Sequence, residues 1–264
     1  MNKAFLAISE MSRIDELSNG NSFLHYRHPL FKLVIVISYI AVVMSIDSIS
    51  KLVAMFLIPS FLYALADIPL SLCFHKLRAV LPFVIFVGVG NLFIDRQVVM
   101  VLFNIKITAG FISFLSLALK GILALLMSFV LVSTTSIEKI CYGLSLLHLP
   151  SIIISSLLMT YRYVSLLLEE AGNMLVAYSL RAPGQKGIAY SSWGSFLGSL
   201  LLRTMDRAKE IAQSMELRGY DGNYSFARSR KADYIDYLFL LGLLFVIFAF
   251  GMINISQMIG KIFI

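Results

Sequence analysis

The chain has 264 residues, 59% of them hydrophobic and only 14% charged, with a net charge of +7. A water-soluble domain of this length has no interior large enough for that much apolar surface, so the composition excludes a soluble globular enzyme and points to an integral membrane protein. In a membrane protein the basic excess follows from the lysines and arginines that cytoplasmic segments retain, so nucleic acid is not expected as a partner.

The N-terminal arm, residues 1–29, carries Arg13, Asp15, Glu16 and Arg27 and has no apolar signal core, so no cleaved signal peptide is expected. His25-Tyr26-Arg27-His28-Pro29 is a basic, aromatic approach to the membrane. His25 and His28 are three apart, but Pro29 disfavours helix at His28, which argues against a metal pair. A first span is expected over about 33–49 and a second over about 52–70. Pro59 lies inside the second, where a neighbour must satisfy the carbonyl it frees. Residues 71–79, with His75, Lys76 and Arg78, form a basic elbow. The apolar run 80–94, with Gly88 and Gly90, is marginal in length for a crossing. Residues 95–106 are a connecting loop with some strand-like alternation.

The run 107–133 is long and apolar, with Lys120 near its middle. A lysine there is costly in hydrocarbon, by a few kcal/mol. It either lines a proton or ion path, or snorkels, packs against another helix, or marks a break. The last span is expected over 237–259. Cys73 and Cys141 lie in different segments and read as small apolar fillers without a disulfide. With the N-terminus in the cytoplasm and four crossings before residue 134, seventeen of the 22 lysines and arginines fall inside.

Residues 134–235 behave differently. Thr135 and Glu138 have capping-box spacing, so a helix begins there and breaks at His148-Leu149-Pro150. From Pro150 to Arg181 the only helix-weakening residue is Gly172. The first half of this stretch is apolar on all sides, and the second turns polar at Arg162 and Glu169-Glu170. That pattern suits a helix lying along the membrane or under a partner and then projecting into the cytoplasm. Pro183-Gly184-Gln185-Lys186-Gly187 is a turn. A further helix over about 192–218 carries Trp193, Leu197, Leu200, Leu201, Thr204, Ala208, Ile211, Ala212 and Met215 at helical spacing. Ile153, Leu157, Trp193, Leu197 and Leu201 are candidates for packing against another helix or a partner subunit.

The two long helices end alike, at Leu180-Arg181-Ala182 and Leu217-Arg218-Gly219. One arginine at a helix end is ordinary dipole chemistry. Two, on two helices of one segment and beside small or apolar residues, are suited to plug grooves that offer carboxylates or carbonyls.

Residues 159–222 resemble the T component of energy-coupling-factor transporters, specifically the CbiQ type of cobalt and nickel importers. The resemblance rests on Thr160-Tyr161-Arg162-Tyr163, Leu168-Glu169-Glu170-Ala171, Leu197-Gly198-Ser199-Leu200, Arg203, Asp206-Arg207-Ala208 and Arg218-Gly219-Tyr220-Asp221-Gly222. Pro29 with Lys32, and the Leu149-Pro150 break, agree more weakly. The resemblance implies a scaffold, not an enzyme. Its cytoplasmic helices would form a coupling module that docks on two ATP-binding-cassette ATPases through Leu180, Arg181 and Ala182 and through Leu217, Arg218 and Gly219. A separate membrane subunit would capture the substrate. The family often has alanine before each arginine; this chain has leucine at both, and the first motif lacks a following glycine.

The expected fold is therefore all-α: a polytopic membrane protein of about five spans with a cytoplasmic helical coupling module. Its parts are the arm 1–29, spans in 30–133, coupling helices in 134–235 and a last span in 236–264, in the cell membrane with the N-terminus cytoplasmic. No phosphate-binding loop and no catalytic set is present in the sequence, so ATP and magnesium belong to the partner ATPases. The four histidines and two cysteines form no metal-ligand cluster, and no cofactor or metal site is assigned to this chain. A membrane enzyme acting on lipid through Glu169, Glu170 or Asp206, a carrier using Lys120, and a scaffold serving a vitamin are the competing readings.

Overall fold

The structure, a computed structural model, describes residues 13, 15–46, 48–68, 78, 82, 86, 98–102, 105–185, 187–222 and 232–252, with the backbone alone for 98–109. The protein is an all-α, polytopic membrane protein. The helices are α1 (Pro29–Ser45), α2 (Ile49–Met55), α3 (Leu57–Ala66), α4 (Ala109–Thr134), α5 (Ile137–Leu146), α6 (Ser151–Arg181), α7 (Trp193–Leu217) and α8 (Tyr234–Met252). One antiparallel hairpin, β1 (Val98–Leu102) with β2 (Ile105–Thr108), falls in the stretch 95–106 expected as a loop with strand-like alternation and runs two residues into the expected apolar run 107–133. The expected run 80–94 lies outside the described residues except at isolated positions, as does the last expected span beyond Met252.

Four helical stretches are long and apolar enough to cross a membrane: Ile49–Ala66, Gly110–Thr134, Ser151–Arg181 and Tyr234–Met252, with Pro29–Ser45 shorter. The chain divides into two compact units. One holds residues 18–136 and 230–264, the other residues 1–17 and 137–229, so the N-terminal arm is shared between them.

In the first unit α1, α2, α3, α4 and α8 pack around Tyr39, Val43, Leu52, Met55, Leu123, Met127 and Ile247. Proline at the first position starts α1, where its missing N–H is harmless. The second expected span is one stretch broken at Phe56, and Pro59 explains the break. It has no N–H for the carbonyl four residues back, at Met55. The Tyr39 hydroxyl, fully buried, donates to that Met55 carbonyl at 3.1 Å. The partner that a proline in a span requires is therefore a tyrosine on α1.

Basic side chains close the C-terminal ends of the apolar helices, where the last carbonyls have no helical donor and the dipole favours a cation. Lys32 Nζ, buried, donates to the Thr134 carbonyl at 2.9 Å and to Thr135 Oγ1 at 3.0 Å. His25 Nε2 donates to the Ser133 carbonyl at 3.2 Å. At the other end of α1, Lys120 Nζ donates to the Met44 carbonyl at 3.1 Å, and Lys51 Nζ donates to Gly251 of α8 at 3.2 Å. Lys120 is thus a helix-end cap supplied by a neighbouring helix. At the start of α8, Asp236 accepts from the Asp233 N–H at 3.1 Å and pairs with Arg27 at 3.1 Å. Asp236 is buried and the Arg27 side chain nearly so, with exposures of 1% and 9%.

In the second unit α5 and α6 meet around Cys141, Ile154 and Leu158, with Leu149 against them. Burial, and then the charge of Glu138, push the Cys141 thiol upward, so it stays protonated and inert at neutral pH. The Tyr161 hydroxyl on α6 donates to Asp15. α7 buries none of its residues. It meets α6 where Arg203 Nη1 donates to Glu170 at 2.8 Å.

Candidate partner-docking helix ends

Each helix end that carries an arginine is shaped by its backbone. At the end of α6, Ala182-Pro183-Gly184-Gln185 forms a type II turn. Gln185 N–H donates to the Ala182 carbonyl at 3.3 Å, and Gly184 has φ 94°, as the third turn position requires. Tyr178, one turn before the helix ends, ties this turn down. Its hydroxyl donates to Gln185 Oε1 at 3.0 Å and accepts from the Ala189 N–H at 3.2 Å. Sequence reasoning missed Tyr178. Nothing in its spacing separates it from the apolar residues around it.

The end of α7 is a Schellman motif. Gly219, with φ 82°, donates to the Glu216 carbonyl at 2.9 Å, and Tyr220 N–H donates to the Met215 carbonyl at 3.0 Å. Arg218 is therefore the C-cap, and Gly219 makes the turn that stops the helix. The backbone alone satisfies these carbonyls, so the Arg218 side chain is not needed to cap them.

Both arginines are exposed, and neither guanidinium has a hydrogen bond or ion pair with any described residue. The leucines before them are open as well, Leu180 at 77% and Leu217 at 90% exposure. Ala182 is half-buried and Gly219 exposed. Each motif is thus a cation beside a bare apolar side chain on a fixed backbone. Measured along their helices from the Glu170–Arg203 contact, Arg181 lies eleven residues on and Arg218 fifteen, which is about 16 Å and 22 Å.

Ile153, Leu157, Trp193, Leu197 and Leu201 are all exposed. The stripe on α7 remains open, and Gly194 and Gly198 have nothing within 4 Å of where a side chain would begin. Of the carboxylates considered for lipid chemistry, Glu170 is engaged by Arg203 in a surface groove of about 440 Å³ that Asp206, Arg207 and Glu210 also line. Among the described residues no group of three His, Cys, Asp or Glu is placed to hold a metal ion.

Comparison with known proteins bears on the chain as a whole. The family CbiQ, described as "Cobalt transport protein", matches residues 20–229. Over 107 residues the chain is 30% identical to the nickel permease LarQ of Lactiplantibacillus plantarum, covering 40% of this chain and 39% of that protein. It is 26% identical to the energy-coupling factor transporter transmembrane protein EcfT of Staphylococcus aureus over 77% of this chain and 81% of that one. The EcfT of Listeria innocua is also 26% identical, over 80% of this chain and 85% of its own length.

Proposed function

The chain belongs to the CbiQ cobalt transport protein family, and from that premise we propose that it is the transmembrane T subunit of an energy-coupling-factor importer for nickel or cobalt. It is a transporter subunit and not itself an enzyme. Two ATP-binding-cassette ATPases hydrolyse ATP with magnesium. A separate membrane subunit captures the metal, and this chain joins the two. The names of EcfT and LarQ support that assignment.

One observation carries the coupling role. The two exposed arginines sit at the C-terminal ends of two contacting helices, on backbones fixed without them and beside the bare side chains of Leu180 and Leu217. An arginine used only to complete a helix end has no need of that exposed apolar neighbour. A groove with acceptors and an apolar wall takes both. The N-terminus and both helix ends lie in the cytoplasm in this reading, where ATP is available.

Purification tests it. The affinity-tagged chain, extracted with its native partners, brings down ATPase subunits and supports ATP-dependent uptake of labelled nickel or cobalt. A chain that purifies without an ATPase overturns the reading. Uptake of a vitamin in place of the metal ions keeps the scaffold role and removes the metal cargo.

A further inference from the structure

The chain passes between its two units three times, after Leu17, after Ser136 and after Ser229. Each passage is a covalent route by which a displacement of the second unit reaches the membrane helices. On the side of the first unit, all three are held by the stretch 18–32. The first passage opens directly into it. Ser18 is buried, and the backbone then turns, with His25 N–H donating to the Ser22 carbonyl at 3.0 Å and Arg27 N–H to the Leu24 carbonyl at 3.1 Å. Leu24 anchors the stretch in the core of the first unit. The second passage follows α4, which Thr135 and Ser136 alone join to α5. Lys32 Nζ and His25 Nε2 donate to the last carbonyls of α4, at Thr134 and Ser133. The third passage leads into α8. There Arg27 pairs with Asp236, and its guanidinium lies 3.9 Å over the ring of Phe23, which meets Phe239 of α8 edge-on.

A helix end that frays absorbs a displacement locally instead of passing it on. Closing such an end needs no charge. α7 completes its own with backbone N–H groups of Gly219 and Tyr220. The end of α4 instead takes the buried ammonium group of Lys32, and the start of α8 takes the Arg27–Asp236 pair. Buried charges are costly, and well-packed apolar side chains in their place are often as stable or more so. Charged hydrogen bonds to fixed partners do fix one geometry among α1, α4 and α8, and that geometry sits where the chain leaves and re-enters the membrane helices.

We propose that His25, Arg27 and Lys32 are positioning residues of the transport cycle: they lock the passages into α4 and α8, so that a displacement imposed on the second unit by the ATPases is carried into the membrane helices and not lost at their ends. The inference rests on the coupling role proposed above. It assigns the step after ATPase docking to residues that lie apart from Arg181 and Arg218 in sequence and belong to the other unit.

Transport stoichiometry tests it. The complex, purified with its native partners, is reconstituted in liposomes, and the labelled nickel or cobalt taken up is counted per ATP hydrolysed. Lys32→Met keeps an unbranched side chain and removes the charge. Arg27→Met is combined with Asp236→Asn, so that no buried carboxylate loses its arginine. Tyr39→Phe is the control, since it removes a buried hydrogen bond of the same unit away from the passages. The Lys32 and Arg27 variants keep ATPase subunits at the parent stoichiometry and still hydrolyse ATP, while ions moved per ATP fall by about fivefold or more, as for the loss of coupling between two sites. Tyr39→Phe lowers the melting temperature and leaves the ratio unchanged. An equal fall of the ratio in Tyr39→Phe means that these residues only stabilise the fold, and overturns the proposal. An unchanged ratio in the Lys32 and Arg27 variants, or loss of their ATPases in step with uptake, overturns it too. If Lys32→Met does not reach the membrane, His25→Leu, at a half-buried donor to the same end of α4, is held to the same outcomes. A parent chain that brings down no ATPase fails the coupling role itself, and this inference with it.

Discussion

The Tyr39 hydroxyl is the clearest case of one atom holding a fold feature in place. Pro59 frees the Met55 carbonyl inside the apolar core, and the Tyr39 hydroxyl donates to it. A buried acceptor left without a partner costs about 1–3 kcal/mol. Tyr39→Phe therefore lowers the melting temperature of the purified protein. In a Pro59→Ala background residue 59 regains an N–H for the same carbonyl, and the same change costs less than half as much. A full, unchanged loss in both backgrounds would show that the hydroxyl does not serve this carbonyl.

On the scale of elements, the ends of α6 and α7 differ in how readily the sequence discloses them. Gly219 after Arg218 is a helix stop that can be read directly, and the Schellman bonds follow it. The stop after Arg181 was legible as Pro183-Gly184, but its anchoring by Tyr178 was not, because a tyrosine's long-range acceptor and donor leave no local pattern. The lysines divide in the same way. Lys32 and Lys120 stand out as charges beside or within apolar runs, yet their partners are carbonyls 102 and 76 residues away in sequence. Pairing across helices is what a sequence without its fold does not disclose. Likewise the stripe on α7 was legible as a packing face, while its openness along the whole helix is a property of the fold alone. Gly219 gives a prediction at this scale. Alanine finds open space there but must adopt φ 82°, a strain of roughly 1–2 kcal/mol. Gly219→Ala loosens the backbone that presents Arg218 without touching its charge, and it lowers ATPase copurification several-fold. Gly198→Ala, helical and in open space, leaves helix content unchanged or higher by circular dichroism.

For the whole molecule the deciding question is where α6 lies. Its 31 residues are long and apolar enough to span. Yet its uninterrupted apolar part ends at Arg162, eleven residues and about 17 Å from Ser151, short of the roughly 20 residues a crossing needs. Glu169, Glu170 and Arg181 follow, and Glu170 is engaged by Arg203 of α7. On this account α6 does not cross. Cysteines placed singly at Ser151 and Gln185 both label from the cytoplasmic face of sealed vesicles. Labelling of the two from opposite faces would make α6 a span and move Arg181 away from the ATPases.

The central claim, that Arg181 and Arg218 couple this chain to its ATPases, is tested most directly by reversing both charges. As mere helix ends each contributes a few tenths to about 1 kcal/mol through the dipole, so reversal would fray a turn and leave assembly intact. Docked in grooves, each makes charge-assisted hydrogen bonds of roughly 1.5–3 kcal/mol, and a glutamate adds repulsion. At about 1.4 kcal/mol per tenfold in affinity, each reversal weakens docking tenfold or more. The measurement is ATPase stoichiometry in complexes purified from membranes holding equal amounts of parent, Arg181→Glu, Arg218→Glu and double-mutant chain, with Arg207→Glu as a control away from the helix end. The account predicts partial loss in each single variant, complete loss of ATPase and of uptake in the double variant, and a smaller effect in the control. A double variant of normal helical content that retains its ATPases at full stoichiometry would contradict it.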